Sequence, residues 1–291
     1  MNILAIDIGG TSIKSGIWNG SSLEQTKETD TQAALGAVHM MERVRELIRS
    51  YRDYAAIGIS TAGEVNTDDG SIYYANSNIP GYTGMQVKRM LEEEFLVPVA
   101  VENDVNAAAL GELWKGAAKG NPDFLCLTYG TGVGGSIVIA GSVYAGSSFS
   151  AGSFGGIVIH PELTTADDLL AGCYERCAST TGLVKRVKLI DGTLDNGRKI
   201  FANLHRAEIR IQVDLWIDDI CTGLVTLISI FNPMRIILGG GVMAQDYVIT
   251  EVRRKTLERV APGLRGVQIV PAMLSNSAGM IGAVSLASKL V

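Results

Sequence analysis

Four features are scarce in this chain, and each scarcity excludes a class of protein. Only four cysteines, Cys126, Cys173, Cys177 and Cys221, are spread unevenly over 291 residues, too few and too irregular for a disulfide framework, so reduced thiols are expected. Long apolar runs are missing: the most apolar stretch, 224–243, is interrupted by Asn232, Pro233 and Arg235, which argues against a membrane-spanning helix. No charged-then-apolar leader opens the chain, and a soluble cytoplasmic protein with no membrane partner is expected. Basic excess is lacking too. With 25 Lys and Arg against 30 Asp and Glu, the formal net charge is −5 and the cations are scattered, which argues against nucleic acid as a partner. Aromatics reach only 6%, yet the 47% apolar share describes an ordinary globular protein. An acidic enzyme of small molecules fits these limits.

Glycine, by contrast, is abundant, with 34 residues. Two glycine-rich turns stand out: Asp7-Ile8-Gly9-Gly10-Thr11 with Lys14, and Tyr129-Gly130-Thr131-Gly132-Val133-Gly134-Gly135. Each lies between short apolar runs and is followed by a second tight turn, Asn19-Gly20 or Gly141. Glycine lets backbone N–H groups approach phosphate oxygens closely. A single such turn is more often a plain hairpin; the repetition suggests duplicated halves and a split phosphate cradle. A chain of this length suits two lobes.

Apolar residues recurring at three and four from Ala33 to Ile48 predict an amphipathic helix. Ala55 to Ser60 reads as a buried strand delivering the loop Thr61-Ala62-Gly63. Met85 to Phe95 reads as a helix, Val97 to Val101 as a strand, and Glu102-Asn103-Asp104 as an acidic turn before a helix over 105–119. A long helix through Val213 and Phe231 precedes Pro233, the strand Arg235 to Leu238 and Gly239-Gly240-Gly241. Strands alternating with helices, plus adjacent hairpins, predict an α/β protein with mixed sheets and a cleft between two lobes.

Phosphoryl transfer needs phosphates positioned, charge neutralised and a base for the attacking hydroxyl. Asp7, leaving a buried strand, is placed to hold Mg²⁺ through water or simply to cap its turn. Lys14 faces a phosphate or solvent, and Thr11 and Thr131 offer donors or ordinary turn chemistry. Asp104, ending a strand and opening a helix, is either the base or an N-cap, and Asn103 shares that ambiguity.

With these residues placed, the chain resembles the ROK family of repressors, open reading frames and sugar kinases, built on the actin-like, duplicated ribonuclease-H fold. The signatures are Asp7 to Lys14, Glu102-Asn103-Asp104 with Asn106-Ala107-Ala108-Ala109, and Gly130 to Gly135. Supporting stretches are Asn78-Ile79-Pro80-Gly81, Gly197 to Phe201, and Asn232-Pro233 before Gly239-Gly240-Gly241, the last similar to the adenosine-side motif. The resemblance implies ATP-dependent phosphorylation of a hexose, most simply at the 6-hydroxyl, with Asp104 as base and Asn103 orienting the sugar. It implies Gly63 near the sugar through its backbone, Glu175 on the anomeric side, and Gly9, Gly10, Thr131, Gly132, Gly134 and Gly135 around the phosphates.

Departures bear on the substrate. Where many family kinases carry a sugar-binding glutamate and a zinc-binding histidine, this chain has Ser153 and Gly156. Cys173 matches the family's cysteine cluster, but Cys177 and His160 do not fall on its positions. Structural zinc needs four ligands and is not expected here. Losing a charged partner for a sugar hydroxyl removes roughly 1.5–3 kcal/mol, so a pocket that accepts a hexose substituted near C1 or C2, as well as or instead of glucose, is expected. Glucokinase, N-acetylmannosamine kinase and β-glucoside kinase types all fit. A non-catalytic sugar sensor is the alternative; a DNA-binding regulator of the family is disfavoured because the first phosphate motif starts at residue 7. The family also implies a homodimer, a lobe of residues 1–106 with 278–291, and a second lobe of 107–277.

Overall fold

The structure is a computed structural model describing residues 1–291. It divides into two compact units: Met1–Pro122 with Ile137–Ala151 and Met273–Val291, and Asp123–Ser136 with Gly152–Ala272. The first unit therefore runs past the expected boundary at residue 106, which falls inside a helix.

In the first unit, β1 (Ile3–Ile8), β2 (Ser12–Trp18) and β3 (Leu23–Asp30) form an antiparallel meander. Helix α1 (Ala37–Arg49) leads into β4 (Ala56–Thr61), and a small hairpin, β5 (Glu64–Asn66) with β6 (Ser71–Tyr74), precedes α2 (Val87–Phe95). Then come β7 (Val99–Asn103) and α3 (Asp104–Lys115). The sheet order is β3-β2-β1-β4-β7, with β4 parallel to β1 and β7 parallel to β4, the mixed arrangement expected from the sequence. Strand β1 is covered on both faces, so it reads as a nearly unbroken apolar run. Its alternation sends Leu4, Ile6 and Ile8 into a cluster with Met40, Met41 and Val44 of α1. Edge strand β3 is polar and largely exposed, which discourages pairing with another chain.

Two helix readings need correction. The helix expected over 33–48 is split at Gly36, whose φ of +92° separates a 3₁₀ turn at Ala33–Leu35 from α1. The interruption rotates the apolar stripe, leaving Leu35 and Val38 exposed. Helix α3 stops at Lys115 rather than 119, where Gly116 turns extended.

The second sheet runs β10-β9-β8-β11-β12, starting with β8 (Phe124–Tyr129), β9 (Val133–Ile139) and β10 (Ser142–Val143). Short helices α4 (Tyr174–Ala178), α5 (Thr180–Lys188) and α6 (Gly197–Ala202) precede the long α7 (Ala207–Phe231). Strand β11 (Arg235–Gly239), α8 (Asp246–Arg259) and β12 (Gln268–Pro271) follow, with β8 and β12 both parallel to β11. Val213, Ile217, Ile220, Leu224 and Leu227 are buried along α7, as their spacing predicts.

The final helix, α9 (Ala278–Ala287), belongs to the first unit. It covers the second face of that sheet, where Met280, Val284 and Ala287 pack on Ile3, Ala5 and Trp18. Each large apolar side chain so buried is worth about 1.5–3 kcal/mol. Helices α9 and α3 approach until backbone meets backbone: a β-carbon at Gly282 would stand 1.7 Å from the Ala107 carbonyl oxygen. Gly282→Ala is therefore expected to destabilise the protein by about 1–3 kcal/mol in urea unfolding; an unchanged midpoint would show that the helix pair has slack.

Candidate functional site

In the first unit, the chemistry gathers at the carboxyl ends of the parallel strands, where open α/β sheets hold ligands. Registry sets it. Asp7 of β1 lies beside Ser60 of β4, and Ser60 beside Glu102 of β7. Alternation puts Asp7 on the same face as Ile3 and Ala5, away from the α1 core. Ser60 Oγ donates to Asp7 Oδ1 at 2.7 Å, and Lys14 of β2 pairs directly across from Asp7. Burial raises the Asp7 carboxyl above its ordinary range, against the lowering pull of the Ser60 bond and the Lys14 charge. Glu102 is also raised by burial, and its Oε1 accepts from the Asn103 N–H at 2.8 Å and Asn106 Nδ2 at 3.2 Å.

The junction of β7 and α3 resolves which residue caps the helix. Asn103 Oδ1 accepts from the N–H groups of Val105 and Asn106 at 3.0 and 3.1 Å, so Asn103 is the N-cap. Asp104 is the first helical residue, and its Oδ1 shares the Val105 N–H at 2.9 Å. Asn103 Nδ2 donates to the Gly63 carbonyl and to Asp104 Oδ1, each at 2.9 Å. Asp104 is pushed up to about 6, first by burial and second by the Asp7 charge, while bonds from the Val105 N–H and Asn103 pull it down. Two carboxylates that repel and differ in environment are the usual arrangement for separate acid–base roles. Gly9, Gly10 and Thr11 form the tip of the first turn, closed by the Gly9 N–H on the Ser12 carbonyl at 3.0 Å. Gly10 and Thr11 border a cavity of about 750 Å³ shared with Gln32, Asn78 and Pro80.

In the second unit, the glycine turn meets a helix start. The Thr180 N–H donates to the Gly130 carbonyl at 3.0 Å, and Ser179 caps α5 by accepting from Gly182 N at 3.0 Å. A cavity of about 990 Å³ opens here, lined by Thr131 and Gly241 of the sequence motifs together with Val184, Lys185, Arg198 and Phe201. Gly241 begins the 3₁₀ turn after β11, and Gly240, at φ +101°, lies so near Tyr129 that a β-carbon would be 2.1 Å from its carbonyl oxygen. Gly239 ends β11, while Gly132 and Gly134 flank Val133 where β9 begins, with Gly135 next. The volume, the helix amino terminus and the cations suit a mononucleotide. Sequence reading missed the α5 residues, although Thr180, Val184 and Lys188 recur every four positions and all border this cavity.

Glu175 is exposed at the start of α4, but its Oε2 accepts from the Val133 N–H of the second turn at 3.1 Å. Helix α4 is anchored by Tyr174, whose hydroxyl bonds the Ile220 carbonyl at 2.8 Å, and by Trp216 Nε1 donating to the Ala178 carbonyl at 2.8 Å. Ser153 is exposed ahead of a 3₁₀ turn at Phe154–Gly156, and nothing lies within 4 Å of where a Gly156 β-carbon would be. All four cysteines are buried thiols outside any disulfide, and no group of three or more His, Cys, Asp or Glu is placed to hold a metal. Instead, His160 Nε2 meets Asp219 Oδ1 and His160 Nδ1 meets Glu162 Oε1, each at 2.8 Å, while Arg186 pairs with the other Asp219 oxygen. His160 is raised chiefly by its Asp219 bond. Only the doubly protonated ring donates to both carboxylates.

The family model described as the ROK family matches residues 3–290. The β-glucoside kinase of Listeria innocua is 35% identical, the alignment covering 98% of this chain and 96% of that protein. The glucokinase of Streptomyces coelicolor is 32% identical over 98% and 97%. The structure of a ROK family glucokinase from Streptomyces griseus, in complex with glucose and AMPPNP, aligns at a TM-score of 0.83 with 29% identity, over 99% of this chain and 100% of that one. These relatives are sugar kinases, and the fold here is the actin-like one they share.

The clasp on His160 has a definite pH sense. A raised histidine contributes stability that is present in full below its unfolded value near 6.5 and fades as pH climbs through the higher folded value. His160→Gln is expected to cost more stability near pH 6 than near pH 9 in urea unfolding; equal losses at both would show that the ring acts only by packing.

Proposed function

Because the chain belongs to the ROK family, we propose that it is an ATP-dependent sugar kinase that phosphorylates a hexose or hexose derivative at the 6-hydroxyl, with Asp104 as general base. The observation that carries this reading is the Asp104 carboxylate, held by Asn103 and raised to about 6. A base of that strength is ionised at neutral pH yet accepts a proton readily. Asp104 would take the hydroxyl proton as the sugar oxygen attacks the γ-phosphoryl, and Asn103 with the Gly63 backbone would orient the sugar. Asp7, Gly9, Gly10, Thr11 and Lys14 would serve the terminal phosphates, with Asp7 holding Mg²⁺ through water. That ion supplies charge neutralisation.

The nucleotide reading rests on the second unit's cavity. Thr131 and Gly132 to Gly135 would contact phosphates beside the α5 amino terminus. Val184 and Phe201 offer apolar surface for the base, and Gly239 to Gly241 border the adenosine side. Glu175 and Ser153 would lie on the sugar's anomeric side. With serine at 153 in place of a glutamate, a hexose substituted near C1 or C2, such as a β-glucoside or an N-acetylated amino sugar, is the favoured substrate. We read the protein as a cytoplasmic homodimer; Ile211 and Leu215, one turn apart on α7, are 55% and 47% exposed, and sedimentation of the purified chain measures the assembly.

Coupled ATP turnover against glucose, mannose, fructose, N-acetylmannosamine, N-acetylglucosamine and aryl β-glucosides tests the activity. Asp104→Ala is expected to lower kcat/KM by about 10²–10⁴. In the intact protein, activity should rise as pH climbs through about 6, since the base works only when ionised. Silence across the panel with sugar binding intact would instead favour the sensor reading, to which Ser153 and Gly156 lend support.

A further inference from the structure

Two aromatic side chains near Gly63 serve no core. Tyr73 is 50% exposed on β6, and its ring meets Phe149 edge-on, with centroids 5.5 Å apart at 63°. Neither ring belongs to the hydrophobic clusters on the two faces of the first sheet. Phe149 also sits at φ +59°, a region a bulky residue enters only under local strain. Its turn is held by the Ala151 N–H on the Ala145 carbonyl at 3.0 Å and by Ser150 Oγ on the Ser148 carbonyl at 3.0 Å. A strained backbone that holds the half-buried Phe149 against the exposed Tyr73, outside either core cluster, points to an external occupant.

The location narrows the occupant. The β5–β6 hairpin pairs Glu64 with Tyr74, and a β-carbon at Gly63 would lie 3.0 Å from the Tyr74 carbonyl oxygen and 3.3 Å from the Ala75 β-carbon. Gly63 in turn gives its carbonyl to Asn103, which holds Asp104. The aromatic pair is therefore tied by a short covalent and hydrogen-bonded path to the residues proposed to hold the hexose.

We propose that Tyr73 and Phe149 form a subsite for the aglycone of a β-glucoside, the aryl ring or second pyranose joined at C1. This rests on the sugar-kinase reading. A free anomeric hydroxyl makes no use of two apolar rings, whereas a planar aglycone covers them and adds aromatic contact.

The test compares kcat/KM for p-nitrophenyl β-glucoside with that for glucose in the intact protein and in Tyr73→Ala, Phe149→Ala and Tyr73→Phe. The ratio is expected to fall about threefold to tenfold in each alanine variant and to hold in Tyr73→Phe, which keeps the ring. An unchanged ratio in the alanine variants overturns the subsite, as does an equal loss on both sugars. If the intact protein phosphorylates neither sugar, the kinase reading fails separately, and calorimetric binding of the same two sugars to the same variants decides the subsite by the same ratio.

Discussion

The amide of Asn103 is the constraint on which the first unit's chemistry depends. Its oxygen satisfies two of the orphan N–H groups at the start of α3, and its nitrogen grips the Gly63 carbonyl and the Asp104 carboxylate. A helix start must be capped by something. If Asp104 did that work, its carboxylate would be spent on backbone donors and its proton affinity would fall. Because the neighbouring amide takes the Asn106 N–H and shares that of Val105, burial and Asp7, the two effects that raise Asp104, outweigh the bonds that lower it. The cost is like-charge repulsion between Asp7 and Asp104, which Ser60 and Lys14 moderate at the Asp7 end.

The second unit solves a different problem, that of fixing α4, a helix of five residues with Tyr174, Cys177 and Ala178 buried. Tyr174 and Trp216 pin α4 to α7 through buried hydrogen bonds, and the His160–Asp219–Arg186 set ties the preceding loop to α7 and α5. Such a charged set is costly to desolvate and contributes more to defining one arrangement than to net stability. Its product is the position of Glu175, whose carboxylate rests on the Val133 N–H beside Gly132.

What was legible in the sequence follows from local physics. The glycine turns, the apolar strands and the α7 stripe each announce themselves within a few residues, because alternation and helical spacing are local properties. The mixed sheets followed from adjacent hairpins. Gly36 was read through because a periodic pattern gives no sign of a left-handed residue inside it. The Asn103 and Asp104 ambiguity was insoluble from sequence, since both residue types cap helices and only the hydrogen bonds assign the duty. Thr180, Val184 and Lys185 were missed because amphipathic spacing marks a face without saying whether that face meets a core or a cavity. Asp219 lies on a helix remote in sequence from His160, so no spacing rule joins them.

Helix α9 has a consequence for the order of events during synthesis. Residues 1–122 leave the ribosome long before Met280, Val284 and Ala287, yet those three cover Ile3, Ala5 and Trp18. One face of the first sheet therefore stays uncovered until the chain has been made through Ala287, an interval of roughly ten to thirty seconds at about 5–20 residues per second. During that interval a nascent chain offers an apolar surface to chaperones. The arrival of α9 is then the step that closes the first unit's core.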